Sequence, residues 1–329
     1  MYDTNEDERD RVIVTRRAIA AICVIISWPA AARAEVRSLS ILHTNDVHAH
    51  LLPSARGHGG FAELATAIRQ ERARSSGCLV LNAGDLVQGT PVSTIYRGVP
   101  VYEIANLLGF DAATLGNHEF DYGWQTTQKF LQIAHYPVVA ANVVDAGGSL
   151  MTRQPYVILT ANGVRVAVIG LLTEDMRRLT TASVRGPWRI LPVIETLRRY
   201  VAEVRNKSDL IVVLGHLVER EEHAILSSVP EVAISITGHA HNGMSSEMRL
   251  DGRGVVRVKG YGEELGRLDL QVDVEKKKLV SWDWKRIAIE RGKFTPAADV
   301  AREVRRWEGG VTRAVDKPIG ESQKEFTRA

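Results

Sequence analysis

Residues 114–123 read TLGNHEFDYG and place polar side chains directly after a short apolar run. We predict that the run at 112–115 is a strand, so that Asn117 and His118 lie in the loop at its carboxyl end, with Asp121 shortly after. In α/β folds, ligands gather beyond the carboxyl ends of the strands. This stretch therefore predicts a functional loop at the edge of a sheet.

Four further apolar runs lead into candidate metal ligands in the same way. Each junction alone is more often a turn, a helix cap or a satisfied loop histidine than a ligand site. Five such junctions in one chain predict a shared site. The other four are 39–42 before Asp46 and His48, 78–82 before Asp85, 210–214 before His216, and 232–236 before His239 and His241.

Helical and strand patterns alternate along the rest of the chain. Asn162-Gly163 predicts a two-residue hairpin turn between strands at 156–161 and 164–171. Residues 255–289 alternate like antiparallel strands, with a turn near Lys276-Lys277. The order predicts a mixed α/β layered domain. The predicted helices lie at 61–68, 100–108, 124–133, 194–204 and 219–227.

The residue types at the five junctions suit a pair of divalent cations. Two ions about 3.5–4 Å apart can clamp the attacking and leaving oxygens of a phosphoryl displacement. Ions that close together need a bridging anion, which a carboxylate provides. Carboxylates combined with imidazoles favour Mn, Zn or Fe over Ca and Mg. The junctions contain no cysteine, which argues against a structural zinc site.

As a set, the motifs resemble the calcineurin-like metallophosphoesterase superfamily, and specifically its 5'-nucleotidase family. The resemblance extends from about Leu39 to the end of the chain. The matching stretches are Thr44-Asn45-Asp46-Val47-His48, Asn82-Ala83-Gly84-Asp85, Gln88-Gly89-Thr90-Pro91, residues 114–123, Ala141-Asn142-Val143, Gly215-His216, Gly238-His239-Ala240-His241 and Tyr261-Gly262.

This resemblance implies a fold, an activity and a role for each site residue. The implied fold is a four-layer α/β/β/α sandwich of two mixed sheets flanked by helices. The implied activity is hydrolysis of phosphate esters, above all nucleoside 5'-monophosphates or related nucleotides, by a metal-bridging hydroxide. The implied roles are Asp46, His48 and His241 on the first ion, Asn117, His216 and His239 on the second, Asp85 as the bridge, and His118 as the catalytic histidine, oriented by Asp121.

Members of the 5'-nucleotidase family have a second, C-terminal domain whose aromatic rings stack on the nucleobase. Pro318-Ile319-Gly320-Glu321-Ser322 resembles the start of that domain, and the sequence ends at Ala329. We therefore expect a catalytic domain at 35–295, followed at 296–329 by a linker helix and a truncated start of the second domain. Hydrolysis with little discrimination among nucleobases is the corresponding functional expectation.

Two alternative functions share the same motifs. One is a 2',3'-cyclic nucleotide phosphodiesterase of the same superfamily, because the same metal site serves both reactions. The other is a non-catalytic metal-binding remnant that lacks the nucleotide-recognition domain. The presence of His118 and Asp121 favours catalysis, because a binding module would not require them.

Composition argues against several other classes of protein. The chain has 329 residues, of which 45% are hydrophobic and 25% charged, an ordinary globular balance. Its net charge of +3 is scattered and forms no basic block with aromatic residues, so we expect no nucleic-acid partner. Cys23 and Cys78 are too few for a disulfide framework.

Residues 1–34 are typical of a signal peptide. Arg16-Arg17 precedes an apolar run at 18–28, and Ala32-Arg33-Ala34 offers a cleavage site. The run is too short for a stable membrane span, and the alternative is a buried core helix. The sequence predicts an exported protein, periplasmic or secreted, with no stable membrane span after cleavage and a small phosphate ester or nucleotide as its partner.

The remaining histidines receive structural interpretations, with two exceptions. His50 follows His48 by two residues and could reach the cleft. Arg56 and His58 could meet an anionic substrate, with a surface loop as the equal alternative. We expect His43 to pack near the site, and His58, His135 and His223 to face solvent.

Overall fold

The computed structural model describes residues 35–315 of the chain. The predicted signal peptide at 1–34 and the stretch at 318–322 that resembles a further domain lie outside these residues. Among residues 35–315, no helix combines the length and the apolar character needed to cross a membrane.

Strands and helices alternate along the described chain. The strands are β1 (Val36–Thr44), β2 (Cys78–Asn82), β3 (Ala112–Thr114), β4 (Val138–Val139), β5 (Val143–Val144), β6 (Tyr156–Ala161), β7 (Val164–Leu172), β8 (Arg189–Ile190), β9 (Leu210–His216), β10 (Ile234–Thr237), β11 (Met248–Leu250), β12 (Arg253–Val256), β13 (Glu264–Asp273) and β14 (Lys278–Ala288). The α-helices are α1 (Phe61–Ala73), α2 (Pro91–Ile95), α3 (Val99–Ala105), α4 (Trp124–Ile133), α5 (Met176–Leu179), α6 (Ala182–Arg185), α7 (Val193–Val204), α8 (Glu219–Ser228) and α9 (Ala298–Val315), and a 3-10 helix spans His118–Phe120.

The first large sheet has the strand order β14-β13-β1-β2-β3-β4. Strands β1 to β4 run parallel to one another, while β13 and β14 continue the sheet in antiparallel fashion beyond β1. Because β1, β2 and β3 are parallel neighbours, the loops that follow them leave from the same edge. This edge carries Asp46, Asp85 and Asn117.

The second large sheet has the order β11-β12-β10-β9-β7-β6. Its four inner strands, β7, β9, β10 and β12, are parallel, and the two outer strands are antiparallel to their neighbours. His216 ends β9, and the loop after β10 carries His239 and His241.

The two sheets pack face to face, and helices cover their outer faces. Successive side chains of a strand point to opposite faces, so Ile41 of β1 and Val212 of β9 enter the layer between the sheets, where both are fully buried. Helices α1, α3, α4 and α9 cover the first sheet, and α7 and α8 cover the second. This four-layer α/β/β/α arrangement confirms the predicted fold class.

Most predicted elements are confirmed, including α4 and the hairpin of β6 and β7, and a few boundaries differ. The helix predicted at 100–108 ends at Ala105, where single turns continue the chain as far as Leu108. His216 is the last residue of β9, whereas the prediction ended this strand at Leu214. The prediction placed this strand's end by apolar composition, which cannot register a buried histidine that still pairs in the sheet.

The prediction that residues 255–289 form antiparallel strands is only partly correct at its start, where β12 is antiparallel to β11 but parallel to its other neighbour. Val255 and Val256 belong to β12, which pairs in parallel with β10 in the second sheet. The rest of the prediction is confirmed, since β13 and β14 form an antiparallel pair with Lys277 in a left-handed turn conformation at φ 51°. Alternation indicates a strand but not its partner, because the partner is set by packing far along the chain.

Helix α9 packs against the helical layer of the first sheet. Val300 and Val304 are buried in the same core as α1. The guanidinium of Arg69 donates two hydrogen bonds to the carboxylate of Asp299, at 3.0 and 2.8 Å. One face of the predicted linker helix is therefore covered by the core that α1 belongs to, and the division of the chain at residue 295 stays a prediction.

Candidate metal centre

The loops after β1, β2 and β10 bring four potential ligands together. One ligand atom from each of Asp46, His48, Asp85 and His241 lies within 4.8 Å of the others. His48 Nε2 and His241 Nε2 are 3.0 Å apart, and His241 Nε2 is 3.8 Å from Asp46 Oδ1. We call these four residues the first cluster.

A second cluster forms where β9, the loop after β10 and the loop after β3 meet. Asp85, His216 and His239 offer ligand atoms within 4.8 Å of one another. Asn117 Oδ1 lies 3.1 Å from His216 Nε2 and 2.9 Å from His239 Nδ1. The amide oxygen of Asn117 therefore faces the same point as both imidazoles.

Asp85 belongs to both clusters and carries an unsatisfied oxygen. Its Oδ1 accepts the backbone N–H of His118 at 2.9 Å. Its Oδ2 is buried and accepts no hydrogen bond among the described residues; its nearest charged partner is the imidazole of His216, whose Nε2 lies 3.0 Å away, and His48 Nε2 lies at 3.6 Å. A buried unpaired carboxylate oxygen is costly unless a cation satisfies it. The residues present therefore fit a pair of divalent ions that share Asp85.

The loops that carry the ligands adopt unusual backbone conformations. Asp46, His48, Asp85 and His239 have φ angles of 50°, 49°, 54° and 82°. Residues other than glycine rarely adopt these left-handed backbone angles, and those that do cluster at functional sites. The surrounding structure must hold the ligands in these conformations.

Glycines next to the ligands allow the loops to approach one another closely. A Cβ atom at Gly84 would lie 2.6 Å from the backbone nitrogen of Gly116. A Cβ atom at Gly116 would collide with the carboxylate of Asp85. These two glycines thus provide space for the carboxylate of Asp85.

His118 and Asp121 form a dyad at the mouth of the site. Asp121 Oδ2 lies 2.7 Å from His118 Nδ1, and the two side chains are 31% and 29% exposed. The ring of His118 meets that of His48 edge to face, with centroids 5.0 Å apart. Burial lowers the pKa of His118, but the hydrogen bond to Asp121 and the charge of Asp85 outweigh burial and raise that pKa above its ordinary value.

The pKa values of three histidines in the clusters shift in opposite directions. It lowers the pKa of His48 and of His239 to about 4, so both imidazoles are neutral at pH 7 and have a free lone pair. Burial also lowers the pKa of His216, but the charges of Asp85 and Asp46 outweigh it and raise this pKa to about 10. A divalent ion would have to displace the proton of His216, because metal ligands bind deprotonated.

Two buried residues that support the site received no role in the sequence analysis. The carboxylate of Glu119 accepts backbone N–H groups of Asp85, Leu86 and Gly116 at 3.0, 2.8 and 2.6 Å. It therefore ties the loop that carries Asp85 to the loop after β3. Its position inside the stretch at 114–123 was the only available signal.

Asn45 is the second such residue. Its Nδ2 donates to Asp46 Oδ2 at 2.6 Å and to the carbonyl oxygen of Val258 at 3.0 Å, and its Oδ1 accepts the N–H of Val258 at 3.1 Å. The amide of Asn45 thus orients the carboxylate of Asp46 and joins the two sheets at their ligand-bearing edge.

The remaining candidates lie outside the two clusters. His50 donates its Nδ1–H to the carbonyl oxygen of His48 at 2.9 Å, so it stabilises the backbone of a residue in the first cluster. His43 is fully buried between the sheets, where its Nε2 accepts a hydrogen bond from the indole of Trp284 at 3.0 Å. Arg56 is exposed, His58 is half-buried, and His135 and His223 are exposed as expected.

Asn142, from the stretch 141–143 in the resemblance, is a structural residue. Its Nδ2 donates to the carbonyl oxygen of Leu172 at 2.7 Å, and the N–H of Leu172 donates back to its Oδ1 at 2.9 Å. The side chain is fully buried. Its amide therefore joins the end of β7 to the chain after β4.

Comparison with known proteins identifies relatives of this chain. The family model of the calcineurin-like phosphoesterases matches residues 39–243. A probable 5'-nucleotidase of Treponema pallidum is 29% identical over 96% of this chain and 50% of its own length. The 5'-nucleotidase of Bos taurus is 32% identical over 77% of this chain and 49% of its own length. The chain thus spans about half the length of these curated relatives.

The fold also matches a solved structure. The 5'-nucleotidase precursor of Thermus thermophilus is 27% identical and superimposes with a TM-score of 0.78, over 87% of this chain and 61% of that one. The matched family region, 39–243, contains all nine residues of the two clusters and the dyad. On these grounds the chain belongs to the calcineurin-like phosphoesterase family.

Proposed function

We propose that this chain hydrolyses phosphate esters with the help of two divalent metal ions, and that nucleoside 5'-monophosphates are its main substrate class. The observation that carries the proposal is the carboxylate of Asp85, which lies in both groups of converging ligand atoms and whose buried Oδ2 accepts no hydrogen bond among the described residues. The 5'-nucleotidases among the relatives support the substrate class.

Seven residues would hold the two ions. Asp46, His48 and His241 would bind the first, and Asn117, His216 and His239 the second, with Asp85 shared by both. When bound, such ions polarise the phosphoryl oxygens and lower the pKa of the attacking water. Imidazole and carboxylate ligands favour Mn, Zn or Fe.

The chain's own residues would bind the substrate and move a proton. Because Asp121 accepts the Nδ1–H of His118 at 2.7 Å, the Nε2 of His118 is directed away from Asp121 and can face the ester. The raised pKa of His118 favours its protonated form. In that form, Nε2–H can stabilise charge on the phosphoryl oxygens or protonate the leaving oxygen.

Substrate hydrolysis by the metal-reconstituted protein tests this function. We would remove metal with a chelator, add back Mn²⁺ or Zn²⁺, and measure kcat/KM for AMP, GMP, UMP, an aryl phosphate and 2',3'-cyclic AMP. Metal-dependent release of inorganic phosphate from the monophosphates is the expected result. A preference for the cyclic nucleotide would indicate the phosphodiesterase instead, and two bound ions without any turnover would indicate a non-catalytic metal-binding protein.

We also propose that the protein is exported, to the periplasm or outside the cell. The support is Arg16-Arg17, the apolar run at 18–28 and Ala32-Arg33-Ala34. The solved relative from Thermus thermophilus is described as a precursor, which is compatible with processing. Mass spectrometry of the exported protein should find Glu35 at the amino terminus, and a full-length product inside the cell would refute the proposal.

A further inference from the structure

Three histidines of the two clusters have different hydrogen-bond partners for Nδ1, the ring nitrogen that faces away from the cluster. His216 Nδ1 lies 2.9 Å from the carbonyl oxygen of Ala83, so the backbone orients this ring. His48 Nδ1 is buried and has no hydrogen-bond partner within residues 35–315. His241 Nδ1 lies 2.9 Å from the hydroxyl oxygen of Tyr261. A phenol therefore takes the place that a backbone carbonyl has at His216.

Packing does little to fix His241. Its side chain is 36% exposed, whereas those of His48 and His216 are 3% and 0% exposed. A half-exposed imidazole can rotate and can carry its proton on either nitrogen. The orientation of the His241 ring therefore depends on a hydrogen bond with a neighbouring group.

Tyr261 itself is firmly held. Its backbone N–H donates to the carbonyl oxygen of Asp46 at 2.6 Å, and its φ angle is 63°. A bulky residue keeps this left-handed conformation only where its surroundings impose it. The ring of Tyr261 lies against those of His50 and His48, with centroids 4.6 and 5.8 Å away.

We propose that Tyr261 is a positioning residue for the first metal ion, acting through His241; this inference rests on the metal centre of the proposed function. When Nδ1–H of His241 donates to the phenol oxygen, the lone pair lies on Nε2. That nitrogen faces His48 Nε2 at 3.0 Å and Asp46 Oδ1 at 3.8 Å. The phenol thus holds the ring orientation that the first cluster needs, and as a hydrogen-bond acceptor it favours the tautomer with the lone pair on Nε2.

The consequence is selective for one ion. Loss of a group that orients a ligand histidine typically weakens metal binding 10- to 100-fold. Tyr261→Phe removes the hydroxyl and keeps the ring, so binding of the first ion should weaken by about that factor. Binding of the second ion should stay within about twofold, because no ligand found only in the second cluster contacts Tyr261 through a hydrogen bond among the described residues.

Mn²⁺ titration of the purified, metal-stripped protein tests the inference. Calorimetry should resolve a tight and a weakened step in Tyr261→Phe, and excess Mn²⁺ should restore kcat. The matched control is Tyr156→Phe, which removes a surface hydroxyl that donates to Glu203 at 2.6 Å and should leave both steps unchanged. Thermal melting of the metal-free variants verifies that they fold.

A second measurement needs no metal. Nitrogen-15 NMR of the metal-free protein should show His241 mainly as the Nδ1–H tautomer in the wild type and as a mixture in Tyr261→Phe. Unchanged Mn²⁺ binding and an unchanged tautomer in the variant would overturn the role of Tyr261 and leave the proposed function intact. Failure of the wild type to bind Mn²⁺ would overturn the metal centre itself.

Discussion

The two halves of the metal centre are built in different ways. In the second cluster, His216 is the last residue of β9, is fully buried, and has its outer nitrogen next to a backbone carbonyl. In the first cluster, His241 lies in the loop after β10, is 36% exposed at its side chain, and is held by a phenol. One ligand is placed by the sheet, and the other is placed by a side chain.

This difference indicates which ion is the more easily exchanged. A ligand at the end of a central strand moves only if the sheet deforms, since His216 pairs with Leu172 of β7 and the preceding Gly215 pairs with β10. A loop ligand moves when a single side-chain hydrogen bond breaks. We therefore expect the second ion to bind in a preformed site and the first ion to exchange with solvent more readily.

The largest effect is expected for a substitution of Asp85, because it should impair metal binding in both clusters. Asp85→Asn replaces the shared carboxylate, so both clusters lose their bridging charge. Bound metal should fall from about two ions toward one or none, and turnover should be abolished. Metal analysis and phosphate release measure this, and an Asp85→Asn protein with full metal content and activity would refute the shared site.

The next prediction separates catalysis from metal binding in both halves. His118→Asn should lower kcat by about 10²–10⁴-fold, because a general acid of that kind contributes this much. Both ions should remain bound. Asp121→Asn should give a smaller loss, since it only orients His118. If His118→Asn instead loses an ion, His118 is a metal ligand and not a general acid.

A third variant should weaken metal binding equally in the two clusters. Glu119→Gln replaces one acceptor oxygen beneath the Asp85 loop by an amide NH₂, which leaves a buried N–H unpaired at about 1–3 kcal/mol. Affinity for both ions should fall by about 10- to 100-fold, as metal titration and denaturant unfolding can measure.

Glu221→Gln is the control for Glu119→Gln. Glu221 is also buried and accepts two backbone N–H groups, from Glu174 and Val218, at 2.9 and 3.1 Å. This variant should lose comparable stability but no metal affinity. Equal losses of metal affinity in the two variants would show that the effect of Glu119 is general destabilisation.

The smallest expected effect is confined to the first half. His50→Ala removes the hydrogen bond to the carbonyl oxygen of His48 and the ring beside Tyr261. One net hydrogen bond is worth about 1 kcal/mol, or roughly fivefold in affinity. Affinity for the first ion should fall by about that factor, whereas the exposed His135→Ala control should not change it. Complete loss of one ion would identify His50 as a ligand.

The candidate ligands could be predicted from the sequence because metal binding restricts the residue type. Few residue types bind divalent ions, and Asp46, Asp85 and His216 each come at or just after the end of an apolar run. Parallel neighbouring strands then bring these ends to one edge. The structure brings all nine predicted site residues together at that edge, and their individual roles stay predictions.

The supporting residues were not accessible in this way. Glu119, Asn45 and Tyr261 act through hydrogen bonds to backbone or ring atoms that are distant in the chain, as in the bonds from Asn45 to Val258. Any polar residue can act in this manner, so residue type carries no signal. The parallel pairing of Val255 and Val256 with β10 was missed for the same reason, since it depends on a partner strand.

By itself, the sequence determined which residues could carry the chemistry and the strand ends at which they lie. Both depend on local polarity and periodicity, which a single stretch of chain displays. Only the tertiary structure decided that Asp85 is shared, that His216 is held by a strand and that His241 depends on Tyr261. These features arise where two sheets meet, because contacts between distant residues form only when the two sheets pack together.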